Sequence, residues 1–320
     1  MECSDRVIMR KNLNYKTLTG IWCALQIPFN QNESIDYSCL GEELSFLTST
    51  TVEGIYSCGT AGEFYNLDES EFDLIHELMA SHCHQSGFSF QIGASHMSPL
   101  ISMDRIMRTK SLHPDAYQII LPDWMRVNEN EQASFIERMA EVAYPIPLVL
   151  YNPGHAKTLL TPRDFKRLSE VTNQLIGIKV GAGGAEWYHE IRELDADLSV
   201  FVPGHRLATG VNEGVASGSY ANVACISPDG AHQWYEIILE DMEEGLRIEK
   251  VIFQFFEQYI MPYAKAGYSD AALDKLLSMI GGRISMGTKV RWPYQSISEK
   301  DATALRKEAK RMLPGFFNLH

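Results

Sequence analysis

Eight short, mainly apolar runs, as a set more continuous than alternating, put the tightest limit on what this chain can fold into. They are Gly20–Pro28, Val52–Ser57, Phe88–Ala94, Ala116–Leu121, Pro147–Asn152, Leu175–Lys179, Leu198–Val202 and Val215–Tyr220. Largely unbroken apolarity over so short a span means a strand covered on both faces, the condition of a parallel sheet flanked by helices. Helical patterns follow most of them, as in Glu69–Ser86, Glu131–Ala143, Thr161–Val171 and Pro228–Asp241. Repeated βα units of this kind build a doubly wound sheet or a closed barrel. A doubly wound nucleotide fold usually places glycine in its first βα turn, and Ile27-Pro28-Phe29-Asn30 has none. The pattern predicts a (β/α)8 TIM barrel.

Beyond residue 243 the pattern changes. Glu243–Tyr263, Ala271–Ile280 and Ser298–Leu313 read as three helices with no strand between them. The expected organisation is a catalytic barrel over residues 17–242 and a C-terminal helical appendage over 243–320. Ser298 with Asp301, and Thr161 before Pro162, are helix-start signals.

Composition narrows the partners. The 320 residues carry 28 Lys+Arg against 41 Asp+Glu, a net charge of −13. So acidic a chain is a poor general binder of nucleic acid or anionic membrane, both of which call for a basic face. No apolar run reaches the roughly 18 residues that span a bilayer. Met1-Glu2-Cys3-Ser4-Asp5 is acidic where a secretory leader is basic. Six scattered cysteines without paired spacing point to reduced thiols and a cytoplasmic protein.

In a barrel the active site lies at the C-terminal ends of the strands. The polar residues expected there are Thr60, Glu63, His96, Asp123-Trp124, Tyr151, Asn152, His155, Lys157, Lys179, His205-Arg206, Ser217, Ser219 and Tyr220. Lys179 ends the apolar run Leu175-Ile176-Gly177-Ile178. A lysine buried there loses charge stabilisation, its pKa falls, and its free amine becomes a nucleophile toward carbonyls. The alternative is a strand-end lysine that reaches water. His82-Cys83-His84 cannot chelate one metal, because consecutive helical residues diverge by about 100°. Trp187, Trp234 and Tyr235 read as core. Gly181-Ala182-Gly183-Gly184 is either a phosphate nest or a turn beside Lys179.

These residues together resemble a known family. Gly59-Thr60-Ala61-Gly62-Glu63 resembles the G-[ST]-T-G-E loop of the dihydrodipicolinate synthase / N-acetylneuraminate lyase family of Schiff-base (β/α)8 enzymes. Tyr151-Asn152-Pro153 resembles its Y-N-x-P turn and Ile176-Gly177-Ile178-Lys179 its I-G-[IV]-K strand. Gly20–Phe29 is similar to its first strand. The resemblance implies that Lys179 forms an imine with a 2-oxo acid, Tyr151 shuttles the proton and Thr60 assists it, with no metal and no cofactor. Backbone N–H groups of Gly59–Glu63, including those of Gly59, Ala61 and Gly62, would hold the substrate carboxylate.

The departures matter as much. Ala61 lacks the usual hydroxyl, and Val180 stands where an acid often follows the lysine. Leu121-Pro122-Asp123-Trp124 replaces a pair of tyrosines after the fourth strand, so the relay across subunits is missing. No arginine follows the Tyr151 turn, which leaves His155 or Lys157 as substitutes. The resulting expectation is a class I lyase that cleaves or condenses a pyruvate-type 2-oxo acid. The alternatives are a deoxy-sugar-acid dehydratase, the synthase itself, or a lapsed oxo-acid-binding barrel. A homo-oligomer, dimer or tetramer, is expected by the same resemblance. His155, Lys157, His205 and Arg206 would give the mouth a positive field for an anionic or polyhydroxylated substrate, with Ser217 and Ser219 also binding it.

Overall fold

The computed structural model describes residues 13–181, 184–282 and 284–318. Met1–Asp5 with Cys3, and Ala182-Gly183, lie outside the described residues. Eight parallel strands close on themselves in chain order: β1 Gly20–Ala24, β2 Gly54–Tyr56, β3 Phe90–Gly93, β4 Ala116–Ile119, β5 Leu148–Asn152, β6 Leu175–Val180, β7 Ser199–Phe201 and β8 Gly218–Tyr220. β1 closes the barrel on β8 through Ile21 and Ser219. Each strand is shorter than or near its apolar run, because the runs continue into buried chain that has left the ladder. Leu25 to Phe29 is buried, and Gln26 N–H turns away to donate to Glu43 Oε1 at 3.0 Å.

The helices are α1 Tyr37–Leu47, α2 Glu69–Ser86, α3 Pro99–Thr109, α4 Glu129–Ala143, α5 Pro162–Ser169, α6 Ala185–Glu193, α7 Leu207–Asn212, α8 Asn222–Ile226, α9 Pro228–Glu240, α10 Met242–Phe255, α11 Met261–Lys265, α12 Asp270–Gly281 and α13 Glu299–Met312. Thr161 caps α5 reciprocally with Asp164, and Pro162 opens the helix. The helix expected over Glu243–Tyr263 is divided. A π turn, Phe256–Ile260, separates α10 from α11. Pro262 has no N–H for the regular ladder, and the widened turn accommodates it.

Two apolar clusters fill the molecule. The larger lies between strands and helices, and a smaller one inside the barrel holds Trp22, Tyr56, Val149, Phe201 and Tyr220. α10 packs on α7 and α9, while α12 packs on α8, α13 and the Thr60–Gly62 turn that follows β2. The C-terminal helices therefore close over one end of the barrel, beside the loops expected to carry the site.

Candidate active site

β6 owes the aim of its last residues to one irregularity. Leu148 pairs with Leu175 but Val149 pairs with Gly177, so Ile176 is an extra residue opposite β5. A bulge of this kind shifts which face the following side chains take. Ile178 then points to the outer core and Lys179 inward.

Lys179 is half-buried on the wall of a mouth cavity of ≈ 770 Å³. Nζ donates to Tyr56 Oη at 3.2 Å and lies 4.1 Å from the ring centroid of Tyr151 and 4.4 Å from that of Tyr56. Burial draws its pKa down to about 7, and Asp274 and Asp270 hold it from falling further. Tyr151 Oη shares a hydrogen bond with Thr60 Oγ1 at 3.1 Å. Burial pushes this phenol up to about 12, so it is neutral and can both accept and donate. The expected trio of Lys179, Tyr151 and Thr60 is thus assembled in one cavity.

The loop after β2 places the rest. Thr60–Gly62 is a single 3₁₀ turn whose internal bonds use the N–H groups of Gly62 and Glu63. Thr60 and Ala61 line the cavity, whereas Gly62 is buried against the Leu25 carbonyl. At Gly59 the chain passes close to the amine. A Cβ there would lie 2.7 Å from the Tyr56 ring and 3.5 Å from Lys179 Nζ. Glu63 does not face the cavity. It takes a left-handed φ of 49°, is buried, and pairs with Lys275 of α12 at 2.7 Å.

The expected positive mouth is not there. Arg206 is exposed and lays its guanidinium 4.4 Å over Phe253 of α10, outside the cavity. Lys157 is also exposed, with its backbone N–H bonded to Asp123. His205 does line the cavity, stacked on Phe256, but burial and Arg206 lower its pKa to about 4, so it is neutral. His155 lines the rim. Ser217 precedes β8 at the opposite end of the barrel, its carbonyl accepting from Gly20 N and Tyr235 Oη. Ser219 alternates away from the interior and donates to the Val202 carbonyl. Trp124 stands 77% exposed.

Tyr56, Trp187, Asp270 and Asp274 are among the lining residues outside the expected strand-end set. Tyr56 is the last residue of β2, near the end of the run Val52–Ser57, where strand direction and alternation were the available signals. Trp187, expected in the core, lines the cavity. Asp270 and Asp274 come from α12 and face the same cavity. Their four-residue spacing puts them on one helix face, the signal available in the sequence. Burial and Asp270 push Asp274 up to about 7, and Lys179 pulls it down.

A closed (β/α)8 barrel with a desolvated lysine among phenols at its strand ends defines the class. The chain belongs to the dihydrodipicolinate synthetase family, whose model matches residues 17–312. It is similar to the 4-hydroxy-tetrahydrodipicolinate synthase of Methanothrix thermoacetophila, 30% identical over 184 residues, 57% of this chain and 61% of that relative. The enzyme of the same name from Caldicellulosiruptor saccharolyticus is 23% identical over 90% of this chain and 95% of its own. Among solved structures, YagE, a prophage protein of E. coli K12 belonging to the dihydrodipicolinic acid synthase family and crystallised in complex with pyruvate, superposes with a TM-score of 0.80. It is 19% identical, over 92% of this chain and 98% of that one.

Proposed function

We propose that this protein is a class I lyase in which Lys179 forms an imine with the keto carbon of a pyruvate-type 2-oxo acid. The observation that carries the reading is the lysine amine, drawn down to about 7 and set between two phenols at the end of β6. At neutral pH a substantial fraction of such an amine is free to attack a carbonyl. The protonated imine then serves as an electron sink for making or breaking the adjacent carbon–carbon bond. Tyr151, held by Thr60, stands where it can take and return the substrate proton. The N–H groups of Thr60 and Ala61 open the 3₁₀ turn without an internal partner and suit the substrate carboxylate. Beyond the imine, the cavity offers Asp270, Asp274 and neutral His205 in place of a cluster of cations, which favours a hydroxylated aldehyde over an anionic one. We further read the protein as cytoplasmic and homo-oligomeric. Cys23, Cys39, Cys58 and Cys225 are thiols, and Leu100, Trp124 and Met125 stand exposed.

The test is reductive trapping. Borohydride with pyruvate should add one covalent adduct at Lys179, and Lys179→Ala should lose both adduct and turnover. Lys179→Arg should fail too, since a guanidinium stays protonated. Normal turnover in Lys179→Ala would sink the mechanism.

A further inference from the structure

Tyr56 is the residue that touches the reacting nitrogen, yet it stands apart from the Tyr151–Thr60 pair. Its Oη is 3.2 Å from Lys179 Nζ and, among the described residues, is that nitrogen's hydrogen-bond partner. The ring is fixed. It is buried in the barrel interior and meets Tyr220 edge-on at 4.8 Å, while Tyr220 Oη is tied to Gln91 at 2.7 Å. Tyr151 presents a ring face to Nζ and spends its hydroxyl on Thr60. The two phenols thus meet one amine in different ways, Tyr56 by a hydrogen bond and Tyr151 by its ring face.

We propose that Tyr56 is a second catalytic phenol of the lysine site, orienting Nζ for attack and relaying one of the protons lost on imine formation. The proposal rests on the imine reading above. When a lysine ammonium and a ketone become an iminium and water, the C–N bond forms and the C–O bond breaks. Two of the three nitrogen-bound hydrogens leave in the water, and the third stays on nitrogen. Tyr56 Oη, already accepting from Nζ, can take one of the two and release its own hydroxyl proton toward the carbinolamine oxygen. The phenol is unchanged at the end. Burial keeps it neutral at working pH, which a relay in both directions requires.

The test uses the intact chain and two readouts. One is site-resolved acetylation of Lys179 by acetic anhydride against pH, which reports the amine's midpoint without substrate. The other is the rate of borohydride trapping with pyruvate on the alkaline plateau, where the amine is free. Tyr56 Oη accepts from Nζ and favours the ammonium, so Tyr56→Phe should move the midpoint to lower pH. It should also slow plateau trapping by about 10²-fold. Replacing Tyr56 with 3-fluorotyrosine, which keeps the hydroxyl, should restore both. An unmoved midpoint or an unchanged plateau rate in Tyr56→Phe overturns the proposal. So does equal loss in both variants, since the one that keeps the hydroxyl would then fare no better and the effect would trace to disturbed packing around Tyr56. A wild-type protein that gains no pyruvate adduct overturns the imine reading instead, and the substrate-free midpoint keeps the two failures apart.

Discussion

Asp274 and Lys179 titrate against each other across one cavity, and the pair gives the clearest pH signature at the scale of single residues. Burial and Asp270 raise the carboxyl to about 7 while the lysine lowers it; burial lowers the amine to about 7 while Asp274 and Asp270 raise it. Removing the acid removes a charge that favours the ammonium. Asp274→Asn should therefore lower the Lys179 pKa further, moving the acid limb of pyruvate trapping to lower pH with its plateau intact. A limb that stays in place would show that the carboxylate does not act on the amine. Legibility differs sharply among these residues. Lys179 and Tyr151 end apolar runs, so a strand of known direction already puts them at the mouth. His205, Arg206 and Lys157 sit in short connections, where one backbone torsion decides between mouth and solvent. Arg206 covers Phe253 with its flat guanidinium and leaves its charged edge in water.

At the scale of elements, α12 is tied to the loop after β2 by a buried ion pair. Lys275 Nζ reaches Glu63 Oε1 at 2.7 Å and the Lys289 carbonyl at 2.5 Å, while Arg291 N–H bonds Glu63 Oε2 at 3.1 Å. Arg291 in turn grips Glu71 of α2 with two bonds of 2.7 Å. The clamp fixes Asp274, one residue before Lys275, over the cavity. Both members of the pair are at most 1% exposed, so breaking it strands a charge out of water. Lys275→Met should lower the unfolding free energy by about 3–5 kcal/mol, and pairing it with Glu63→Gln should recover much of the loss. Urea unfolding of the two variants checks this. Glu63 lies inside a loop that reads as a site, and nothing along the chain announces a partner 212 positions later. Its role was decided by the packing of α12 on the turn.

Across the whole molecule, two buried groups pull stability in opposite directions with pH. Glu43 of α1 is pushed up by burial from 4.5 to about 8, with one oxygen on Gln26 N–H and the other without a hydrogen-bond partner among the described residues. His76 of α2 is pushed down by burial from 6.5 to about 3 and bonds Ser57 at 2.7 Å. A carboxyl held protonated gives stability that is lost as pH rises through its folded value, whereas a histidine held neutral gives stability that is lost as pH falls below its unfolded value. The contribution of these two groups taken together should fall on both sides of the interval between 4.5 and 6.5. Glu43→Gln, which cannot ionise, should gain on the wild type steadily as pH rises from 4.5 toward 8. A difference that does not change with pH would show that Glu43 is not titrating in that range.

The amino-acid sequence by itself determined the barrel, the order of its strands and the end that carries the chemistry. Eight doubly buried strands leave few ways to satisfy their edges, and chain direction then fixes where each run ends. What only the tertiary structure decided lies off that repeat. The bulge at Ile176 aims Lys179 inward, and strand alternation brings Tyr56 against its nitrogen. Closure of α12 over the mouth turns two helical aspartates into cavity walls. Hydrophobic periodicity records which face of an element is buried, but not which distant element buries it. The polar residues of this site were placed by that second choice.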